Sequence, residues 1–232
     1  MPEFDGEKPL SLDQYGLWSD WWRGYYLQYS RAFKPEQLYI SGSPRPLEKE
    51  TVSILPALAK GALKVLFIAE QLAEPKQVMP YLLALLDVKD LVVSLKFRPQ
   101  IDGFEEWLKL NRPDILKRVK ILKGNIHEAI FESDVVVGSH STSVLEGLAQ
   151  LKPFVFFLTE KWGDYFDIKD VDAQNRFFAQ NPEELINKIR KSVEVPKEDL
   201  KKLQEQFLGN PYQNGAQWLV DQAIEFAKNY AR

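Results

Sequence analysis

The sequence predicts an α/β fold: a doubly wound parallel sheet of about six strands, with an aromatic helix before it and helices after it. Three observations carry this reading. Short apolar runs recur between residues 64 and 179, and several are apolar at consecutive positions, as strands covered on both faces should be. Amphipathic stretches of helix length separate them. Strand–helix–strand repeats with short connections build parallel sheets through right-handed crossovers. The flanks, before residue 47 and after residue 180, have helical texture instead.

The elements follow in chain order. Trp18, Trp21, Trp22, Tyr25, Tyr26, Tyr29 and Phe33 recur at helical spacing and form one broad apolar face. Pro35 ends that helix. A short strand-like run, QLYIS, leads to the turn cluster GSPRP at 42–46. Residues 1–46 therefore read as one piece, a helix, short strand and linker, and 47–232 as the main domain. Its strands are expected at 64–69, 91–97, 119–122, 134–138, 153–158 and 176–179. Helices are expected at 80–88 with Pro80 in the first turn, and at 101–110, 125–132 and 142–151. Asn181-Pro182-Glu183-Glu184 is a helix start, with a cap, a proline at the first helical position, then acids on the positive helix end. A charged amphipathic helix follows at 197–207, and a last one from about 216 to 230.

Composition excludes several classes. The 232 residues hold 30 Lys+Arg and 33 Asp+Glu, a net charge of −3, which argues against a dedicated nucleic-acid binder. With no cysteine there are no disulfides, thiolate metal sites or cysteine nucleophiles. Two histidines, His127 and His140, make a histidine-based zinc site a poor expectation, and no metal site is expected. No apolar run approaches the ~20 residues that span a bilayer, and the first ten residues lack the pattern of a signal peptide. The expectation is a cytoplasmic protein, with peripheral attachment to the inner face of the membrane as an option.

The segment richest in chemistry is SDVVVGSHSTSVLEGLAQLKPFVFF, residues 133–157. A buried strand runs into a small polar loop and then a helix. In an open parallel sheet, ligands bind where strand C-termini meet helix N-termini. Ser139, Ser141, Thr142 and Ser143 supply hydroxyls and backbone N–H groups, His140 an imidazole, and the helix start favours an anion such as phosphate. Glu146, one turn on, could accept hydrogen bonds from ribose hydroxyls. Ser143-x-x-Glu146 is equally a capping box, so both readings stand for these two residues. Four hydroxyl residues and a histidine exceed what one cap needs. Glu70 and Gln71 follow the first strand of the domain, and Lys96 and Arg98 end the second, so topology puts all four at the same edge. His127 begins the helix before the key strand. Lys161-Trp162-Gly163-Asp164-Tyr165 follows the PFVFFL strand, where an aromatic ring beside a carboxylate suits a sugar.

The pattern G-S-x-S-T-S-x-x-E-x-L-x-x-x-K-P, residues 138–153, resembles the donor-nucleotide motif in the C-terminal domain of GT-B fold glycosyltransferases, of the bacterial surface-carbohydrate, capsule and teichoic-acid type. YISGSPRP (39–46) is similar to the turn that leaves their N-terminal domain. SLKFRP (94–99) is similar to their K-x-H-P segment, with Arg98 where histidine is usual. Arginine can pair with a phosphate bidentately; it cannot accept a proton. The resemblance implies a Rossmann-like donor domain holding a nucleotide-sugar, UDP-, CDP- or CMP-linked, with no separate cofactor or metal. The phosphates would lie on Ser139, Ser141, Thr142 and Ser143, with Glu146 on the ribose and His127 near the base. Glu70, Gln71 and Lys96 would line the donor, and His140 and Arg98 would assist departure of the leaving group. It implies a saccharide or lipid-linked acceptor. Only about 46 residues stand where such enzymes carry an acceptor domain, so a missing N-terminal domain or a partner chain is expected. A sugar-nucleotide epimerase, a polyol-phosphate transferase and a non-enzymatic assembly module are the alternatives.

Overall fold

A computed structural model describes residues 12–47, 61–69, 74–98 and 103–230. The chain divides into two compact units, Pro56–Leu200 and, together, Met1–Leu55 with Lys201–Arg232.

The larger unit is built on a six-stranded, all-parallel sheet. Its strands are β3 (Leu63–Ile68), β4 (Leu91–Lys96), β5 (Lys120–Ile121), β6 (Val135–Gly138), β7 (Phe154–Phe157) and β8 (Phe178–Ala179). Their order is β5-β4-β3-β6-β7-β8, so the chain builds outward from β3 in one direction and then, from β6, in the other. Val65, Phe67, Val93, Leu95, Val135, Val137, Val155 and Phe157 are buried, which is why these segments read as unbroken apolar runs. β6 and β7 are buried at every position. All six expected strands are present: the first is shifted by one residue and the other five are a residue or two shorter than the apolar runs suggest.

The helices between strands are α2 (Pro75–Leu86), α3 (Gly103–Asn111), α4 (Pro113–Leu116), α5 (Ile126–Phe131), α6 (Thr142–Leu145), α7 (Ile168–Val171) and α8 (Pro182–Ser192). Leu82 and Leu85 of α2 are fully buried, and Tyr81 stacks on Phe157 with ring centroids 4.3 Å apart. The sequence put Pro80 in the first turn of α2. Pro75 holds that place, and Pro80 lies inside the helix. Either proline satisfies the rule that the first turn tolerates a missing N–H, so spacing did not discriminate. The Asn181 cap is as expected: its Oδ1 accepts from Glu184 N at 2.9 Å.

The stretch expected as one helix over 142–151 changes type after a single turn. α6 ends at Leu145, and residues Glu146–Gln150 form a 3-10 helix. Leu151 closes it in the left-handed region, with φ 52°. Gly147 lies against β6 here. A Cβ on it would meet Val136 Cγ2 at 3.0 Å.

In the smaller unit, β1 (Tyr15–Leu17) pairs in parallel with β2 (Leu38–Ile40) around α1 (Asp20–Tyr29). The aromatic face of α1 is core: Trp22 and Tyr25 are buried, and Trp22 Nε1 donates to Phe207 O at 2.7 Å. Helices α9 (Lys197–Leu208) and α10 (Gly215–Tyr230) complete the chain, the division between units falling within α9. β1, three residues with a central glycine, had no apolar run to announce it. No helix among the described residues is long and apolar enough to cross a membrane.

Candidate functional site

Strand order reverses between β3 and β6, and the C-terminal ends of these strands and their neighbours define one edge of the sheet. Connections described at that edge include Phe97–Arg98 after β4, Leu122–Asn125 after β5, Ser139–Ser141 after β6, and Leu158–Asp167 after β7. Glu70 and Gln71, expected at this edge, lie outside the described residues.

The loop after β6 begins at a glycine for a steric reason. A Cβ on Gly138 would stand 2.5 Å from Val144 Cγ2, so only glycine lets α6 close down on its strand. The helix cap is Ser141: its Oγ accepts from Ser143 N at 3.2 Å. The capping-box reading, with Ser143 as the cap, is therefore corrected. Ser143 sits inside the first turn, and its Oγ donates to Glu146 Oε1 at 3.3 Å. Glu146 is 3% exposed, and its Oε2 lies 3.9 Å from His127 Nε2. His127 is held from both sides along its backbone. Its N–H donates to Asn125 Oδ1 at 3.0 Å, and its carbonyl accepts from Gln150 Nε2 at 2.7 Å. Ser143, Glu146 and His127 thus form one polar cluster, with Glu146 buried and the other two half-buried.

On its other side the loop carries an aromatic stack. Ser139, 2% exposed, shares a 2.9 Å hydrogen bond with His140 Nδ1. The imidazole lies 4.9 Å from the Trp162 ring, inclined by 28°, and 6.0 Å from Tyr165. Its Nε2 is buried. Burial, first, then the positive charges of Arg98 and Lys161 push the His140 pKa down to about 4. The ring is therefore neutral at neutral pH, so it has no imidazolium proton to give. Lys161 Nζ lies 4.9 Å from the centroid of the Trp162 ring, within cation–π range.

Lys96 is buried, and its Nζ donates to Gly124 O at 2.8 Å. Burial lowers its pKa, against an opposing pull from Glu128. Arg98, two residues on, is exposed. The structure thus places Ser139, His140 and Ser141 in the loop and Thr142 and Ser143 in the first turn of α6, with Arg98 close enough to act on His140 and with Glu146 linking Ser143 to His127. Sequence reasoning flagged Trp162 as a sugar platform. It did not find that the indole packs on His140, a contact spanning 22 positions in the chain with no local signature. A polar cavity of about 450 Å³ lies elsewhere, beside β8 and α8. Its Arg176 is engaged by Asp172 and Asp199, and its Lys188 by the Asn175 carbonyl.

The order-reversed parallel sheet sets these residues at the edge where open α/β sheets take ligands, and the fold it shares with the solved structures similar to this chain is that of the GT-B glycosyltransferases. A variant of the wall teichoic acid polymerase TagF soaked with CDPG matches at TM-score 0.58 and 12% identity, over 95% of this chain and 58% of that one. MnaA from S. aureus in complex with UDP matches at 0.54 and 15%, over 94% and 60%. HepE from Anabaena, in complex with UDP and glucose, matches at 0.53 and 16%, over 91% and 63%. At such identity the likeness is one of fold. The chain spans about three fifths of the length of these neighbours. No protein-family description and no curated protein matches it.

Proposed function

We propose that this chain is the nucleotide-sugar-binding half of a GT-B-like glycosyltransferase that transfers a sugar to a surface-polysaccharide or glycolipid acceptor. The observation that carries the reading is the loop after β6. Together with the first turn of α6 it presents four hydroxyl residues at the order reversal, with the Ser143–Glu146–His127 cluster next to it and Arg98 near enough to act on His140. The donor phosphates would take the N–H groups and hydroxyls of Ser139, Ser141, Thr142 and Ser143. The ribose and base would lie toward Glu146 and His127. Developing charge on the departing phosphate would be stabilised by Arg98, whose guanidinium needs no proton transfer to act. His140, neutral and covered, serves here as a positioning residue for Ser139 and Trp162. The acceptor and the catalytic base would belong to a complementing domain or chain, in line with the fraction of the neighbours spanned. UDP and CDPG in the neighbours' structures support a pyrimidine nucleotide.

A thermal-shift panel of UDP, CDP, CMP, GDP and their sugar conjugates tests this, on wild type and Arg98→Ala. A ligand at 100 times its dissociation constant adds about 2.7 kcal/mol of stability. A shift with one nucleotide, reduced in the variant, is expected. Absence of any shift would sink the reading and favour an assembly module.

A further inference from the structure

We infer that Lys161 is a second anion-binding cation of this site, mounted on the Trp162 ring and acting with Arg98 on a ligand that carries two neighbouring phosphates. The inference rests on the donor-site reading above and adds a residue and a charge requirement to it. The geometry runs through three contacts. Ser139 Oγ holds His140 Nδ1 at 2.9 Å, the imidazole stacks on Trp162 at 4.9 Å, and Lys161 Nζ stands 4.9 Å from the same indole's centroid. β7, which ends three residues before this stretch begins, pairs in register with β6, so the two connections leave the sheet side by side. Asp164 anchors the far part of the β7 connection, its carboxylate accepting from Ile168 N and Lys169 N at 2.8 and 2.9 Å.

The imidazole is the only ring nitrogen donor that sequence offers this loop, and it is unsuited to the role. Its Nε2 is buried and its Nδ1 is engaged by Ser139. Lys161 is exposed, with its ammonium 4.9 Å from the indole centroid. The depressed proton affinity of His140 agrees, since it feels both Arg98 and Lys161. These two cations come from different connections, after β4 and after β7, and bracket the hydroxyl loop after β6. A monophosphate can satisfy one cation and the loop N–H groups. In the proposed arrangement a diphosphate would engage both cations.

The test uses isothermal titration calorimetry with UDP, CDP, UMP, CMP and inorganic pyrophosphate on wild type, Lys161→Met and Lys161→Arg. Melting curves show whether each variant is folded. Lys161→Met should weaken the binding diphosphate about tenfold, the scale of one charge-assisted contact, and its monophosphate by less than about twofold. Lys161→Arg should restore most of the loss. In parallel, the His140 ring protons should titrate at higher pH in Lys161→Met. Unchanged diphosphate affinity in Lys161→Met, or equal losses for diphosphate and monophosphate, overturns the role of Lys161 and leaves the donor-site reading standing. Failure of wild type to bind any of the five probes overturns both.

Discussion

β6 and β7 have two ends, and the lysines that flank β7 show how differently those ends are used. Lys152, just before β7, is 7% exposed, and its ammonium donates to Ser133 O at 2.7 Å. Around it the polar groups answer one another: Ser133 Oγ donates to Ile130 O, and Asp134 Oδ2 accepts from Lys64 N. Lys161, just after β7, is exposed above an indole. One end is closed on itself and holds strands together. The other gathers hydroxyls and cations around a loop. An amino-acid type in itself says little; the end of the strand it occupies says which work it does.

Substitutions should separate the two ends. The largest loss of stability is expected for Lys152→Ala, about 3 kcal/mol, from a buried carbonyl left without its donor and an apolar stem removed. Urea unfolding measures it, and nucleotide affinity of the folded fraction should be unchanged. Next comes acid. The pKa of His140 is about 4 in the fold against about 6.5 unfolded. The unfolded chain therefore binds the extra proton between those values. Stability should fall as pH drops from about 6.5 to 4. His140→Gln should flatten that part of the pH profile. Gly138→Ala forces a methyl into Val144 and should cost about 1 to 2 kcal/mol, with nucleotide binding lost alongside, since α6 must lift from β6. Smallest in stability, within about 0.5 kcal/mol, is Arg98→Ala, an exposed change. Its effect should show in affinity alone. If Arg98→Ala unfolded the protein while Lys152→Ala did not, the contrast between the two ends would be broken.

Much of the fold was legible because its strands are buried on both faces, so VVV and FVFF advertise themselves without any alternation to decode. The ends of the sheet were less so. β5 and β8, two residues each, were found only as the cores of longer runs. β1 was missed because Tyr15-Gly16-Leu17 has no pattern of its own. It exists through its pairing with Leu38–Ile40, which no local window contains. At the site, the residues of the loop were visible but their division of labour was not. Ser141 and Ser143 are equally good caps on paper, and the choice falls to Ser141 because the helix starts at Thr142. The fate of His140 was hidden for the same reason as that of β1. What neutralises and covers it comes from Trp162, Arg98 and Lys161, on other connections of the sheet.

The early change of α6 into a 3-10 helix has a kinetic consequence. A single α turn aligns few peptide dipoles, so little of the attraction for an anion can come from the helix axis. In the proposed site it would come from the exposed side chains of Arg98 and Lys161. Their field extends outward only about 8 Å at physiological ionic strength. A site of the proposed kind would capture its ligand by attraction that salt erodes. Stopped-flow association of the diphosphate should therefore slow as sodium chloride is raised, while dissociation, governed by the short contacts within the loop, should change far less.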